Sequence, residues 1–279
     1  EDIFSKGDVA YWILNKVMSD LGFGFVGVTV FSSIVFVSGL FLFSIRQPYP
    51  WLAFSVAFPY LVVVVSMGYM RQSIAIGFIL IAISMLNNKK FIYYLIFIGL
   101  AALFHKTALI MVAFAVFSSK RGLLLRIIAV VLAVYGLWNA VSSQAEFLWI
   151  NYVEVNMISE GAKIRTAMNL FPSLLFLLFL KRWKAHYDDY IFWMAISFAS
   201  IFSFLIVDFA STAVDRIALY FIPIQIVVFS RLPLLLRDKI DPALTTILIL
   251  FYYLLILVVY FNFANYAIWW LPYNNYFYF

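Results

Sequence analysis

From Phe23 to Ile45 the chain carries no charged side chain, and from Pro242 to Phe261 it again carries none. Each run reaches the ~20 apolar residues that carry a helix across a bilayer, and both are too long for barrel strands of about 10 residues. In lipid every backbone N–H and C=O must be paired within the protein, which leaves helices or closed barrels. The runs therefore commit the chain to a helical membrane bundle. Composition agrees: 66% of residues are hydrophobic and 11% charged, against about 25% charged in a soluble domain.

Ten crossings are expected. They are Phe23–Ile45, Trp51–Met67, Ser73–Leu86, Phe91–Phe104, Thr107–Phe117, Leu123–Val141, Ala167–Leu180, Tyr190–Val207, Ile217–Phe229 and Pro242–Phe261. The all-α chain reads as one integral membrane domain over residues 1–279. Residues 1–22 form an amphipathic interfacial segment, with Asp8 placed to cap its helix. Residues 142–166 form the main polar loop. The first residue is not Met and the opening is polar, so the natural start is expected upstream, with a further span. No signal peptide is visible.

Orientation follows from charge. Twelve of the nineteen basic residues fall on one side: Arg46, Lys89, Lys90, Lys120, Arg121, Arg126, Lys181, Arg182, Lys184, Arg231, Arg237 and Lys239. Nine of the thirteen acids fall on the other. The positive-inside rule makes the first side cytoplasmic. The net charge of +6 thus reads as topology and not as nucleic-acid binding. Without cysteine, disulfides and thiolate chemistry are excluded. Two histidines argue against a His-rich metal centre.

Within this frame His105 and Lys106 stand out between two short apolar runs. A charge at a helix centre costs ~2.5–3.5 kcal/mol on insertion scales, so ionisable residues at that depth default to function. The basic stretches at Lys89–Lys90 and Lys120–Arg121 belong on the same side, so the chain is expected to make a hairpin at His105 and not one long helix. Arg71, His105, Lys106, Arg165, Asp215 and Arg216 then gather on the non-cytoplasmic side. Arginine forks bind phosphate oxygens bidentately, and a polyprenyl-diphosphate substrate presents such oxygens at that surface. His105 is the candidate base. Asp215 is the rival base, or the group that orients Arg216. No metal is expected, because the carboxylates do not cluster.

Plainer readings stand beside these. Arg71 also reads as a snorkelling anchor, His105 as a packed histidine, Lys106 as an interface marker and Arg165 as a solvated loop charge. Asp215 and Arg216 also read as a mutual pair, and Trp269, Trp270 and Tyr273 as an aromatic belt. No P-loop, G-x-S-x-G, H-E-x-x-H or internal repeat is present.

Five segments carry a resemblance. Arg71-Gln72-Ser73-Ile74-Ala75 resembles the R-Q-x-I-A segment of the EpsG/Wzy-type polysaccharide polymerases. Phe104-His105-Lys106-Thr107-Ala108-Leu109 resembles that family's F-H-x-(S/T)-A-L signature. Arg216 with Tyr220-Phe221 is similar to its R-x-x-x-Y-F segment, and Leu271-Pro272-Tyr273 to its terminal x-P-Y. Asp8 to Leu21 looks like its membrane-surface segment. The resemblance implies a GT-C-like glycosyltransferase on the outer face of a bacterial inner membrane, polymerising undecaprenyl-diphosphate-linked repeat units without a cofactor. It implies catalytic roles for His105 and Asp215. Substrate binding falls to Arg71, Arg216, Arg165, Lys106, Gln72, Tyr273 and Asp8. Its partners would be lipid-linked glycans, membrane lipids, a chain-length regulator and a flippase. The rival readings are a lipid-linked glycan flippase, which expects charges lining a path from both sides, and an O-acyltransferase. A cytoplasmic acyl donor fits the second poorly.

Overall fold

A computed structural model describes residues 8–86, 91–114 and 159–273, with isolated positions between 117 and 138. Expectations for residues 87–90, most of 115–158 (including the span from Leu123 and most of the main loop) and the tail beyond Tyr273 lie outside the described residues. Among the described residues the fold is helical, with no strand.

Helix α1 spans Val9–Asp20 and α2 spans Gly24–Ser44. Between them Phe23 N–H donates to the Met18 carbonyl at 2.9 Å and Gly22 N–H to the Ser19 carbonyl at 3.0 Å, with Gly22 at φ +79°. This paired closure needs a left-handed residue, which glycine adopts without a steric penalty. Helix α3, Pro50–Ala57, continues as a π-helical stretch over Phe58–Ser66. Then come α4 (Met70–Met85), α5 (Phe91–Phe104), a 3₁₀ turn (Lys106–Leu109) and α6 (Ile110–Phe114). Beyond the undescribed stretch lie α7 (Ala162–Leu178), α8 (Leu180–His186), α9 (Tyr190–Ile206) and α10 (Ser211–Ala218). A 3₁₀ turn at Leu219–Phe221 leads to α11 (Pro223–Leu235). Helix α12 (Pro242–Phe263) and a 3₁₀ turn at Asn265–Trp269 close the described chain.

Among the described residues, α2 and α12 alone are long and apolar enough to cross a membrane by themselves. Counting α7–α8, bent by 75°, and α10–α11, bent by 41°, as broken spans brings the number to four. Shorter apolar helices cover Pro50–Ser66, Met70–Met85, Phe91–Phe104 and Tyr190–Ile206. The chain folds back at His105. Tyr94 OH donates to the Met111 carbonyl, whereas one continuous helix would hold those residues about 25 Å apart at ~1.5 Å per residue.

Helix α11 is the central post. All but one of its residues are buried, and it packs on α3, α7 and α12. Its few polar side chains, Gln225 and Arg231 among them, are paired inside the bundle, so the helix can be buried on every face. Helix α4 sits between α2 and α5. At the α2–α4 crossing, a Cβ on Gly39 would lie 2.2 Å from the Gly77 carbonyl oxygen, and one on Gly77 would lie 2.7 Å from that of Val35. Close backbone approach through small residues is how helices gain contact in a solvent as apolar as themselves. Mid-bundle, Gln225 joins Asn169 at 2.7 Å and Tyr253 at 2.8 Å, while Asn169 donates to the Ala218 carbonyl at 2.8 Å. The buried amides are thereby satisfied.

Three segment boundaries differ from the sequence expectation. Helix α4 begins at Met70 and α7 at Ala162, so Arg71 and Arg165 lie in first turns and not in loops. Residues 211–218 are helical, which puts Asp215 and Arg216 on α10 and not in a loop. The reason is one of polarity: the polar first turns of α4 and α7 and the short polar helix α10 read as loops when the apolar run is the only guide.

Candidate functional site

Two ionic clusters occupy the end of the bundle marked by His105. In the first, Asp8 Oδ2 lies 3.2 Å from Arg71 Nη1, and Asp8 Oδ1 accepts from the Lys106 backbone N–H at 3.1 Å. The expected N-cap is corrected: the Asp8 side chain makes no capping bond on α1. It bridges α4 and the turn after His105 instead. A cation in the first turn of a helix opposes the helix dipole, and the carboxylate offsets this at Arg71. Arg71 also lies over the Tyr11 ring at 5.6 Å. Its side chain stays 55% exposed, so the ion pair contributes under about 1 kcal/mol and leaves guanidinium N–H groups open to a ligand.

His105 is extended, between α5 and the 3₁₀ turn. Its Nδ1 lies 2.7 Å from Thr107 Oγ1, which lies 3.0 Å from Tyr220 OH. Tyr220 is 1% exposed and meets the imidazole edge-on at 6.3 Å between ring centres. Burial is the main reason that the His105 pKa falls to about 4; Asp8 opposes the fall, and Arg71 and Arg216 add to it. The ring is neutral at pH 7. Arg216 is exposed and makes no ion pair among the described residues. Lys106 has its backbone N–H engaged, while its ammonium has no partner there.

The second cluster sits on the other side of α10. Arg165 Nε donates to Asp215 Oδ1 at 2.7 Å and Nη2 to Oδ2 at 2.6 Å. Ser159 Oγ donates to Asp215 Oδ2 at 2.9 Å and accepts from Arg165 Nη2 at 2.7 Å. The expectation that Asp215 pairs with or orients Arg216 is corrected: successive helical residues diverge by about 100° at 3.6 residues per turn, and Asp215 turns inward to Arg165. Gly161, at φ +75°, precedes α7, and a Cβ there would come within 3.2 Å of Arg165 Nη1. Tyr60 OH and Gln72 Nε2 are buried with no hydrogen-bond partner among the described residues. Tyr60 is within electrostatic reach of Arg165 and Asp215.

The tail closes over this side. Trp270 Nε1 donates to the Val63 carbonyl in the π-helical stretch at 2.8 Å, and its ring meets Tyr260 edge-on at 5.8 Å. Gly68 lies flat beneath it: a Cβ there would come within 3.3 Å of the indole. Tyr273 is 66% exposed and touches neither cluster.

The opposite end also holds a buried charge pair. Arg231 meets Asp189 through both nitrogens at 2.7 and 2.8 Å and Gln47 at 3.1 Å, beneath Tyr187 at 4.3 Å. Arg231 thus lies within α11 and not in a connector after the expected span Ile217–Phe229. Recesses of about 150 and 250 Å³ lie at that end, clear of every candidate residue. Among the described residues no three His, Asp or Glu side chains converge.

The structure therefore brings together Asp8, Arg71, His105, Lys106 and Arg216, and separately Arg165 and Asp215. Sequence reasoning missed Thr107, Tyr220, Ser159 and Tyr60 as contributors. Thr107 and Tyr220 lie inside segments already singled out by motif. Ser159 and Tyr60 carry no such signal. A family model described as the EpsG family matches residues 2–275. No curated protein and no solved structure matches the chain.

Proposed function

The chain belongs to the EpsG family, and on that footing we propose that it polymerises undecaprenyl-diphosphate-linked oligosaccharide repeat units into a bacterial surface polysaccharide. The proposed setting is a multi-span, GT-C-like bundle of about ten crossings in the inner membrane, with the His105 end facing outward. The positive-inside charge count supports that orientation.

The observation that carries the reading is the first cluster: the Arg71 and Arg216 guanidiniums and a neutral imidazole with one carboxylate, Asp8. In the reaction, a hydroxyl oxygen of one lipid-linked unit bonds to the anomeric carbon of another. The anomeric bond to the diphosphate breaks, and the diphosphate leaves with the electron pair. Arg71 and Arg216, with Lys106, stabilise the charge that develops there, as preorganised donors do in a site shielded from water. The hydroxyl proton passes to His105 Nε2. With Nδ1–H donating to Thr107 and Thr107 O–H donating to Tyr220, Nε2 keeps its lone pair free. Asp215 positions Arg165 and does not act as the base. Gln72 and Tyr273 stand as substrate contacts of lower priority. Membrane lipids, a flippase and a chain-length regulator complete the proposed setting.

A flippase is the second reading, favoured by the buried Arg231–Asp189 pair at the opposite end. That pair is fully engaged, however, and the Asn169–Gln225–Tyr253 network between the ends is uncharged. The test is glycan length in cells that lack the native gene and carry Arg71→Ala, His105→Ala or Arg216→Ala, with expression checked. The proposal expects loss of long glycan while single repeat units still reach the surface. Absence of single units as well would favour the flippase, and normal long chains in all three would overturn the site.

A further inference from the structure

Resting on the glycosyl-transfer reading, we infer that the two clusters are separate subsites. Asp8, Arg71, Lys106 and Arg216 hold the diphosphate of the donor, and Arg165–Asp215 with Tyr60, Tyr69, Tyr260 and Trp270 holds the hydroxyl-rich glycan of the acceptor.

Charge is the first argument. Around His105, two guanidiniums, Arg71 and Arg216, act with one carboxylate, Asp8, so a net positive field awaits an anion. Around Arg165 the ionic groups cancel: Asp215 neutralises Arg165, and Lys163 meets Asp208 at 2.6 Å nearby. Glu160, bonded to Asn265 at 2.7 Å, adds a negative charge there. A diphosphate is drawn to the first cluster and gains nothing at the second. The two fields are also distinct in reach. The charges that act on His105 are Asp8, Arg71 and Arg216, whereas those that act on Tyr60 are Arg165 and Asp215.

Surface chemistry is the second argument. Aromatic side chains lie within electrostatic range of the second cluster: Tyr60, Tyr69 and Tyr260 act on Arg165, and Tyr260 packs against Trp270, which lies over Gly68. Such rings present apolar faces with polar edges, which suit a sugar's C–H face and its hydroxyls together. The third argument is the Tyr60 hydroxyl. It is buried within electrostatic reach of Arg165 and Asp215 and has no hydrogen-bond partner among the described residues. An orphaned buried hydroxyl costs free energy, and a ligand hydroxyl would relieve it. Tyr69 links the clusters along the chain: it precedes α4, two residues before Arg71, and acts electrostatically on Tyr60 and Arg165. A glycan seated at the second cluster would direct its end past Tyr69 to the diphosphate-linked carbon at the first.

The test pairs Tyr60→Phe with Arg216→Gln in the full chain. Three quantities are read: thermal stability in detergent, binding of sugar-free undecaprenyl diphosphate by native mass spectrometry, and glycan length in cells that make the repeat unit. Tyr60→Phe removes only an unpaired hydroxyl. It should leave stability unchanged or raised and diphosphate binding unchanged, while elongation falls about fivefold, as loss of one hydrogen bond to a ligand implies. Arg216→Gln should weaken diphosphate binding about tenfold or more. Wild-type elongation by Tyr60→Phe, or a loss of diphosphate binding equal to that of Arg216→Gln, would overturn the division. Failure of the wild-type protein to bind the polyprenyl diphosphate above bulk phospholipid would instead overturn the glycosyl-transfer reading on which the division rests.

Discussion

His105 and Arg165 show how environment, and not residue type, sets a role. Burial holds the His105 pKa near 4, below the ordinary value of about 6.5. As pH falls from 6.5 towards 4, the unfolded chain takes up a proton that the folded chain refuses, so stability falls across that window. The expected result is that imidazole modification by diethyl pyrocarbonate proceeds undiminished to about pH 5 and fades near pH 4. A midpoint near 6.5 would mean that the ring is solvated. Arg165 and Asp215 are coupled more tightly, each mostly shielded from water. Removing one partner leaves a stranded charge and costs about 3–5 kcal/mol. Arg165→Ala and Asp215→Ala should each lower the melting temperature sharply, and the double variant should recover part of the loss. Simple additivity in a double-mutant cycle would contradict the pairing.

At the scale of elements, α1 and the α2–α4 crossing place the site. Asp8 ties α1 to both α4 and the His105 turn. Asp8→Ala should cost little stability, since Arg71 is half exposed, yet it should reduce elongation by freeing the His105 turn; equal loss of both would mark Asp8 as merely structural. At the crossing, Gly77→Leu would drive a side chain into the α2 backbone and cost about 1–3 kcal/mol or more, seen as a lowered melting temperature with no wild-type-like activity at 37 °C. Periodicity and apolar length made most helices legible, because lipid-facing runs such as Pro242–Phe261 admit no other structure. The pairing of Tyr94 with Met111 bears out the reversal at His105 that charge placement implied. What the sequence did not disclose were the polar first turn of α7, which holds Arg165, and the short polar helix α10, which holds Asp215 and Arg216. Arg165 and Asp215 meet from two helices across 50 residues of sequence, and no local pattern encodes that. Arg71, His105 and Arg216 stood out in the sequence because an ionisable group near lipid is costly. The choice of Arg165 as the partner of Asp215 was not legible.

For the whole molecule, the central claim is directional: the cationic His105 end faces outward and transfers glycan from a diphosphate carrier. The chain contains no cysteine, so single cysteines at Glu160 and Asp241 report cleanly on the two ends. An impermeant maleimide applied to intact cells with a permeabilised outer membrane should label position 160 and spare position 241; the reverse would invert the topology. The most direct measurement is turnover by the purified full chain alone in liposomes, with lipid-linked repeat units supplied on the His105 side. Polymer growth and release of polyprenyl diphosphate are counted together. The account predicts one diphosphate per added unit, a loss of about 100-fold or more in His105→Gln as expected for a general base, and no net movement of lipid-linked glycan between leaflets. Full-rate growth in His105→Gln, or transport between leaflets without polymer, would contradict it.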